Sequence, residues 1–86
     1  MYEIFFSDEA KKKLAQLDTG ISARIGAAIE RIKIRPHNFV KRIYNCKYYR
    51  LRVDDYRIIL DIQDLQLIIY IIEIGRREDI YKTSFN

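Results

Sequence analysis

The sequence predicts an α+β domain of order β-α-α-β-β-β, with an N-terminal strand and a helical hairpin packed on one face of an antiparallel sheet. Three observations predict it. Apolar residues recur every three or four positions through residues 10–32 and then alternate with polar ones from residue 48 onward. Pro36 separates the two regimes. A chain of 86 residues that is 49% hydrophobic can bury one core but not two, so residues 1–86 are expected to form a single domain.

Tyr2 to Phe6 is a short run of β-favouring residues. Ser7, followed by Asp8 and Glu9, is a helix start: a capping hydroxyl with acids in the first turn. Ala10, Leu14 and Leu17 then mark one face of a helix reaching about Leu17, while Lys11, Lys12 and Lys13 spread over its solvated side. Asp18, Thr19 and Gly20 break the pattern. Ile21, Ile25, Ala28, Ile29 and Ile32 carry a second amphipathic helix to the neighbourhood of Arg35, where Pro36 stops it. A loop is expected from Pro36 to about Lys41.

Beyond the loop the period becomes two. Tyr49, Leu51 and Val53 alternate with Tyr48, Arg50 and Arg52, and Tyr56, Ile58, Leu60 and Ile62 alternate with Arg57, Ile59, Asp61 and Gln63. Asp54-Asp55 serves as the two-residue turn between these strands. After a second turn near Asp64, the nearly continuous apolar run from Leu67 to Gly75 supplies the last strand.

The face away from the helices is expected to stay open, and the arginines point there. If Val53 pairs with Tyr56, Arg52 lies opposite Arg57 and Arg50 opposite Ile59. Like charges set face to face cost roughly 0.2 to 1 kcal/mol in a sheet, and a polyanion lying on the strands would turn that cost into attraction. An odd-numbered second turn would pair Ile62 with Ile68 and bring Glu73 opposite Arg57, neutralising the cluster instead.

Net charge is +4, from 16 Lys and Arg against 12 Asp and Glu. All of it is local: Phe39 to Arg57 holds six bases and two acids, and the rest of the chain is neutral. This basic segment also carries Tyr44, Tyr48, Tyr49 and Tyr56, a mixture suited to RNA, where cations meet phosphates and rings meet unstacked bases. Arg42, Lys47 and Tyr48, with Arg76 just beyond the last strand, are the candidate RNA contacts.

Other chemistry is scarce. The single cysteine, Cys46, forms no internal disulfide, and with one histidine it builds no zinc cage. A nucleophilic triad would have to recruit His37, which follows Pro36 in the expected loop. The longest uncharged apolar stretch, Leu67 to Ile72, is far short of the roughly 20 residues that span a bilayer, and no apolar signal segment opens the chain. A cytoplasmic protein without membrane contact, metal or cofactor is expected.

Tyr49-Arg50-Leu51-Arg52-Val53-Asp54-Asp55-Tyr56-Arg57-Ile58-Ile59, followed by Ile74-Gly75-Arg76-Arg77-Glu78-Asp79-Ile80-Tyr81, resembles the RelE branch of the RelE/ParE toxin superfamily. The resemblance covers the whole chain. It implies a toxin of a type II toxin-antitoxin pair that enters the ribosomal A site and cuts the mRNA there without a metal. It also implies a RelB-like antitoxin that wraps and neutralises the toxin. Carried over by position, the implied catalytic residues are Arg50, Arg52, Arg57, Arg77 (or Arg76, one place earlier) and Tyr81. The best-known members have lysines where this chain has Arg50 and Arg52, so a lysine-based proton transfer does not carry over.

Cutting RNA through its own 2′-hydroxyl requires that oxygen to lose a proton, the pentacovalent phosphate to be stabilised and the 5′-oxygen to gain a proton. Arginine's planar fork suits the phosphate. It is a poor base, which leaves Tyr81, if set among Arg52, Arg57 and Arg77, as the candidate for that role. Two other readings stay open. A ParE-like toxin would inhibit DNA gyrase by protein contact and would not need Arg77 or Tyr81, and a non-catalytic RNA-binding module would bind phosphate and cut nothing.

Overall fold

The computed structural model describes residues 1–76. Strand β1 is Glu3–Phe6, helix α1 Asp8–Gln16 and helix α2 Thr19–Ile32. A 3-10 turn over Pro36–Asn38 leads to β2 (Lys41–Arg42), β3 (Tyr49–Val53), β4 (Tyr56–Gln63) and β5 (Ile68–Arg76). The strands form one sheet in the order β1-β5-β4-β3-β2. The expected α+β layering is present, with two additions. The short β2 pairs with β3 inside the expected loop, and β1 joins the far edge parallel to β5 on an otherwise antiparallel sheet.

Both helices begin where capping chemistry places them. Ser7 Oγ accepts from Ala10 N at 3.1 Å, and Asp18 Oδ1 from Ile21 N at 3.0 Å. Helix α2 stops at Ile32, short of Arg35: the Lys33 carbonyl is taken by Tyr2 N at 2.8 Å, and Arg35, held before Pro36, has left the helical region with φ −139° and ψ 75°. The α2 stripe Ile25, Ile29 and Ile32 is buried with Ala10 of α1 against Leu51, Ile58, Leu60, Ile62, Ile69, Ile71 and Ile74 of the sheet. Each such side chain fully removed from water contributes roughly 1.5 to 3 kcal/mol, which fixes the hairpin on this face. Among the described residues no helix is long and apolar enough to cross a membrane.

The β3–β4 hairpin has the expected register. Val53 pairs with Tyr56, Arg52 with Arg57 and Arg50 with Ile59, and Asp54 takes the left-handed conformation (φ 54°) that a tight hairpin favours. The β4–β5 register differs from the expected one. Gln63 pairs with Ile68 and Ile62 with Ile69, because the turn has four residues and Leu67 closes it at φ 55°. A bulge then shifts the pairing: Leu60 pairs with Ile71 but Ile59 with Glu73, leaving Ile72 as the extra residue. Ser7 stabilises the bulge, its Oγ donating to the Ile72 carbonyl at 2.6 Å.

Candidate nucleic-acid interface

In a pleated sheet, directly paired residues share a face, so the register decides which cations meet. Away from the helices one row runs Lys41, Arg50, Ile59, Glu73, and the next Arg52, Arg57, Gly75. Two like-charged pairs therefore stand side by side, Lys41 with Arg50 and Arg52 with Arg57. The second pair was legible in the hairpin; the first was not, because a two-residue strand has no periodicity to display.

The face is less bare than expected. Arg52 is exposed and Arg50 half-buried, but Arg57 is only 7% exposed and Ile59 1%. Both lie on β4, the central strand, flanked by neighbours on each side. Arg52 and Arg57 line a small pocket of about 50 Å³ together with Asp54, Asp55 and Tyr56, enough for a single small group. The two aspartates would repel an anion, but Asp54 is already engaged. Arg24 of α2 reaches its Oδ2 at 2.6 Å, and Arg52 Nε approaches its carbonyl at 3.5 Å. This Arg24 contact left no signal in the sequence, since it joins residues thirty positions apart on different elements.

Glu73 does not neutralise the pair. It stands opposite Ile59, and Gly75 stands opposite Arg57, because the bulge and the four-residue turn together displace the register from the expected one. Burial pushes the Glu73 carboxyl above its ordinary range, and the charge of Glu9 adds to the shift. Its Oε2 is enclosed and has no hydrogen-bond partner among the described residues.

The other candidates are dispersed. Arg42 pairs with Tyr49 in the row facing the helices, its guanidinium 5.4 Å from that ring and its Nε donating to the Cys46 carbonyl at 3.3 Å. Lys47 sits 5.3 Å from the ring of Tyr48 in the β2–β3 loop. Arg76 pairs with Tyr56, in a row of the opposite parity to Arg57. Arg77 and Tyr81 lie outside the described residues. His37, in the 3-10 turn, contacts Asp64 at 2.8 Å and the edge of Tyr49, remote in register from the arginine pair. Among the described residues no group of three His, Cys, Asp or Glu side chains could hold a metal ion.

Apolar surface remains uncovered elsewhere. Phe5 and Tyr70 stack on the face away from the helices with their centroids 6.5 Å apart, both part-exposed, and Leu67 is exposed at the same end. A groove of about 430 Å³ runs beside Phe6, Leu14 and Ala15, with Lys11 and Ser22 at its margin.

Comparison with known proteins places this architecture. Residues 4–81 match the family model described as ParE toxin of type II toxin-antitoxin system. A RelE-like toxin protein of Escherichia coli is 28% identical over 96% of this chain and 93% of its own length. The isolated E. coli RelE toxin superposes with a TM-score of 0.78 at 17% identity, covering 94% of this chain and 92% of RelE. The toxin in the RelB-RelE antitoxin-toxin complex of Methanococcus jannaschii gives 0.69 at 26% identity, covering 90% and 94%. These relatives are the ones to which the strand-turn-strand motif pointed, and the chain belongs to the ParE toxin family of type II toxin-antitoxin systems, within the RelE/ParE superfamily.

Proposed function

We propose that this toxin is a ribosome-dependent endoribonuclease that cuts mRNA in the A site and thereby stops translation in the cytoplasm. The observation that carries the reading is the opposition of Arg52 and Arg57 in one small pocket, on a face that also holds Lys41 and Arg50. Packed cations of this kind repel one another in the free protein and are relieved by a phosphate between them.

In the proposed reaction the 2′-oxygen bonds to the adjacent phosphorus and the bond to the 5′-oxygen breaks, leaving a 2′,3′-cyclic phosphate and a 5′-hydroxyl. Arg52 and Arg57 hold the non-bridging oxygens as negative charge grows on them, with Arg50 and Arg77 adding to the field. Tyr81 takes the 2′-proton and later releases it to solvent, and the departing 5′-oxygen takes a proton from water. Arg42, Lys47, Tyr48 and Arg76 bind flanking RNA. No step calls for a metal or cofactor.

A RelB-like antitoxin is the proposed partner. RelE toxins have been solved bound to RelB, as in the RelBE2 complex of Mycobacterium tuberculosis, whose toxin matches at a TM-score of 0.77 and 23% identity over 88% of this chain and 98% of its own. The part-exposed Phe5–Tyr70 stack and the groove beside Leu14 are apolar surfaces that such a partner would cover.

Primer extension on mRNA in a translation extract tests the reading, with wild type beside Arg52→Ala and Tyr81→Phe. Cuts inside codons that require ribosomes and vanish in both variants are expected. The family model's name favours one second reading, inhibition of DNA gyrase: intact message together with arrested supercoiling would establish it and remove the nuclease.

A further inference from the structure

The β2–β3 loop, residues 43–48, carries the most exposed aromatic ring among the described residues, and nothing in the fold uses it. Tyr44 is 88% exposed. Tyr2 bonds to Asp64, Tyr48 and Tyr49 carry cations on their rings, and Tyr70 stacks on Phe5, whereas the Tyr44 ring has no such contact among the described residues. An aromatic side chain held this far into water contributes nothing to the core and costs solubility.

The loop presenting it is built. Ile43 N donates to the Tyr48 carbonyl at 3.0 Å and Cys46 N to the Ile43 carbonyl at 3.1 Å, while Arg42 Nε ties the Cys46 carbonyl from outside. Asn45 takes the left-handed conformation, φ 55°, that asparagine tolerates better than most residues. The loop borders an open, shallow depression lined by residues 42–47, with Arg42 and Lys47 at its two ends. Every charged residue from Lys41 to Arg52 is a base, so the surface selects an anion.

We propose that this loop is a base-stacking site for single-stranded RNA, with the Tyr44 ring receiving an unstacked base and Arg42 and Lys47 holding the phosphates on either side. The inference rests on the reading of the protein as an RNA-cutting toxin and adds to it a contact away from the cut. Tyr49 and Arg52 are three residues apart on β3, about 10 Å, and the loop that carries Tyr44 lies beyond the Tyr49 end, so the stacked base flanks the cleaved position rather than occupying it. A duplex would hide its base faces from the ring, and an acidic peptide would engage the cations without needing the ring, so single-stranded RNA is the occupant that uses both features.

Fluorescence anisotropy with a dye-labelled 12-nucleotide single strand tests the site, alongside the same strand in a duplex and an acidic peptide of equal charge. Wild type, Tyr44→Ala and Tyr44→Phe are compared, with circular dichroism to confirm equal folding. The loss of one stacked base predicts that Tyr44→Ala binds the single strand about 5- to 150-fold more weakly. Tyr44→Phe should bind as wild type does, and the slope of affinity against salt should not change. Equal binding by Tyr44→Ala overturns the proposal, as does equal loss in Tyr44→Phe, preference for the duplex or peptide, or no binding of the single strand by wild type. Message cleavage by wild type in the translation extract is scored separately. Cleavage with no Tyr44 effect on binding sinks the stacking site alone; a Tyr44 effect without cleavage sinks the nuclease reading and leaves the stacking site standing.

Discussion

Arg52 of β3 and Arg57 of β4 are directly opposed across the hairpin, and both line one pocket. As like charges at a single sheet pair they add an unfavourable mutual term, alongside the other contacts Arg57 makes, and a bound anion offsets that term. Arg52→Gln should therefore stabilise the isolated toxin by about 0.2 to 1 kcal/mol, measured by urea unfolding at low salt, while reducing message cleavage. Raising ionic strength should stabilise wild type more than the variant and close most of the gap. A variant less stable than wild type at every salt concentration would mean that the pair is not strained.

Ser7 holds three elements at one point. Its Oγ caps α1 through Ala10 N and donates to the bulge carbonyl of Ile72, while its own backbone N–H reaches the Ile71 carbonyl at 2.9 Å. Asp18 caps α2 alone, and from an exposed position. Asp18→Ala should cost about 1 kcal/mol, the ordinary value of a cap. Ser7→Ala should cost about 2 kcal/mol, because it also leaves a part-buried carbonyl without its donor. Urea midpoints of the two variants check the order.

How much of this was legible in the sequence follows from what each feature depends on. The α2 stripe, the two capping residues and the Asp54-Asp55 turn are local, so periodicity and residue chemistry revealed them. The opposition of Arg52 and Arg57 required only a two-residue turn. Glu73 was misplaced because its partner depends on turn length and on a bulge held by Ser7, and a shift of one residue changes every pairing beyond it. Lys41 opposite Arg50, and Arg24 on Asp54, arise from the return path of the chain after Pro36, which no short pattern records.

Glu73 carries the consequence of that misplacement. Its carboxyl is raised first by burial and then by Glu9, so the folded protein holds this proton more tightly than the unfolded chain does. The sign follows from linkage: the favourable contribution is complete below the ordinary glutamate value of about 4.3 and is lost as pH rises through the raised value. At neutral pH the ionised group is a liability, with an enclosed oxygen that has no partner among the described residues. Glu73→Gln should accordingly unfold at a higher urea concentration than wild type at pH 7, with the difference narrowing as pH falls to about 4. A constant difference across that range would show that packing of the amide, and not ionisation, is responsible.

The opposite end of the sheet contains a second titrating pair whose two members shift in opposite directions. His37 and Tyr2 both hydrogen-bond to Asp64, Tyr2 through its hydroxyl at 2.7 Å, and these bonds, that of His37 foremost, hold the Asp64 carboxyl below the usual range. The same bond to Asp64 raises the Tyr2 phenol. For Asp64 the contribution to stability is present above the ordinary carboxylate value of about 3.9 and lost as pH falls through the lowered one. For Tyr2 it is present below about 10 and lost as pH rises through the raised value. Tyr2→Phe removes only the hydroxyl, leaving His37 on Asp64 in both proteins. Wild type should therefore be slightly more stable than Tyr2→Phe across the neutral range, by a small margin because the contact lies in water. The two unfolding curves should converge progressively as pH falls from about 4 through the lowered carboxyl value and as it rises from about 10 through the raised phenol value. Convergence on the alkaline side alone would leave the phenol bond intact as a stabilising contact and remove its effect on the carboxyl.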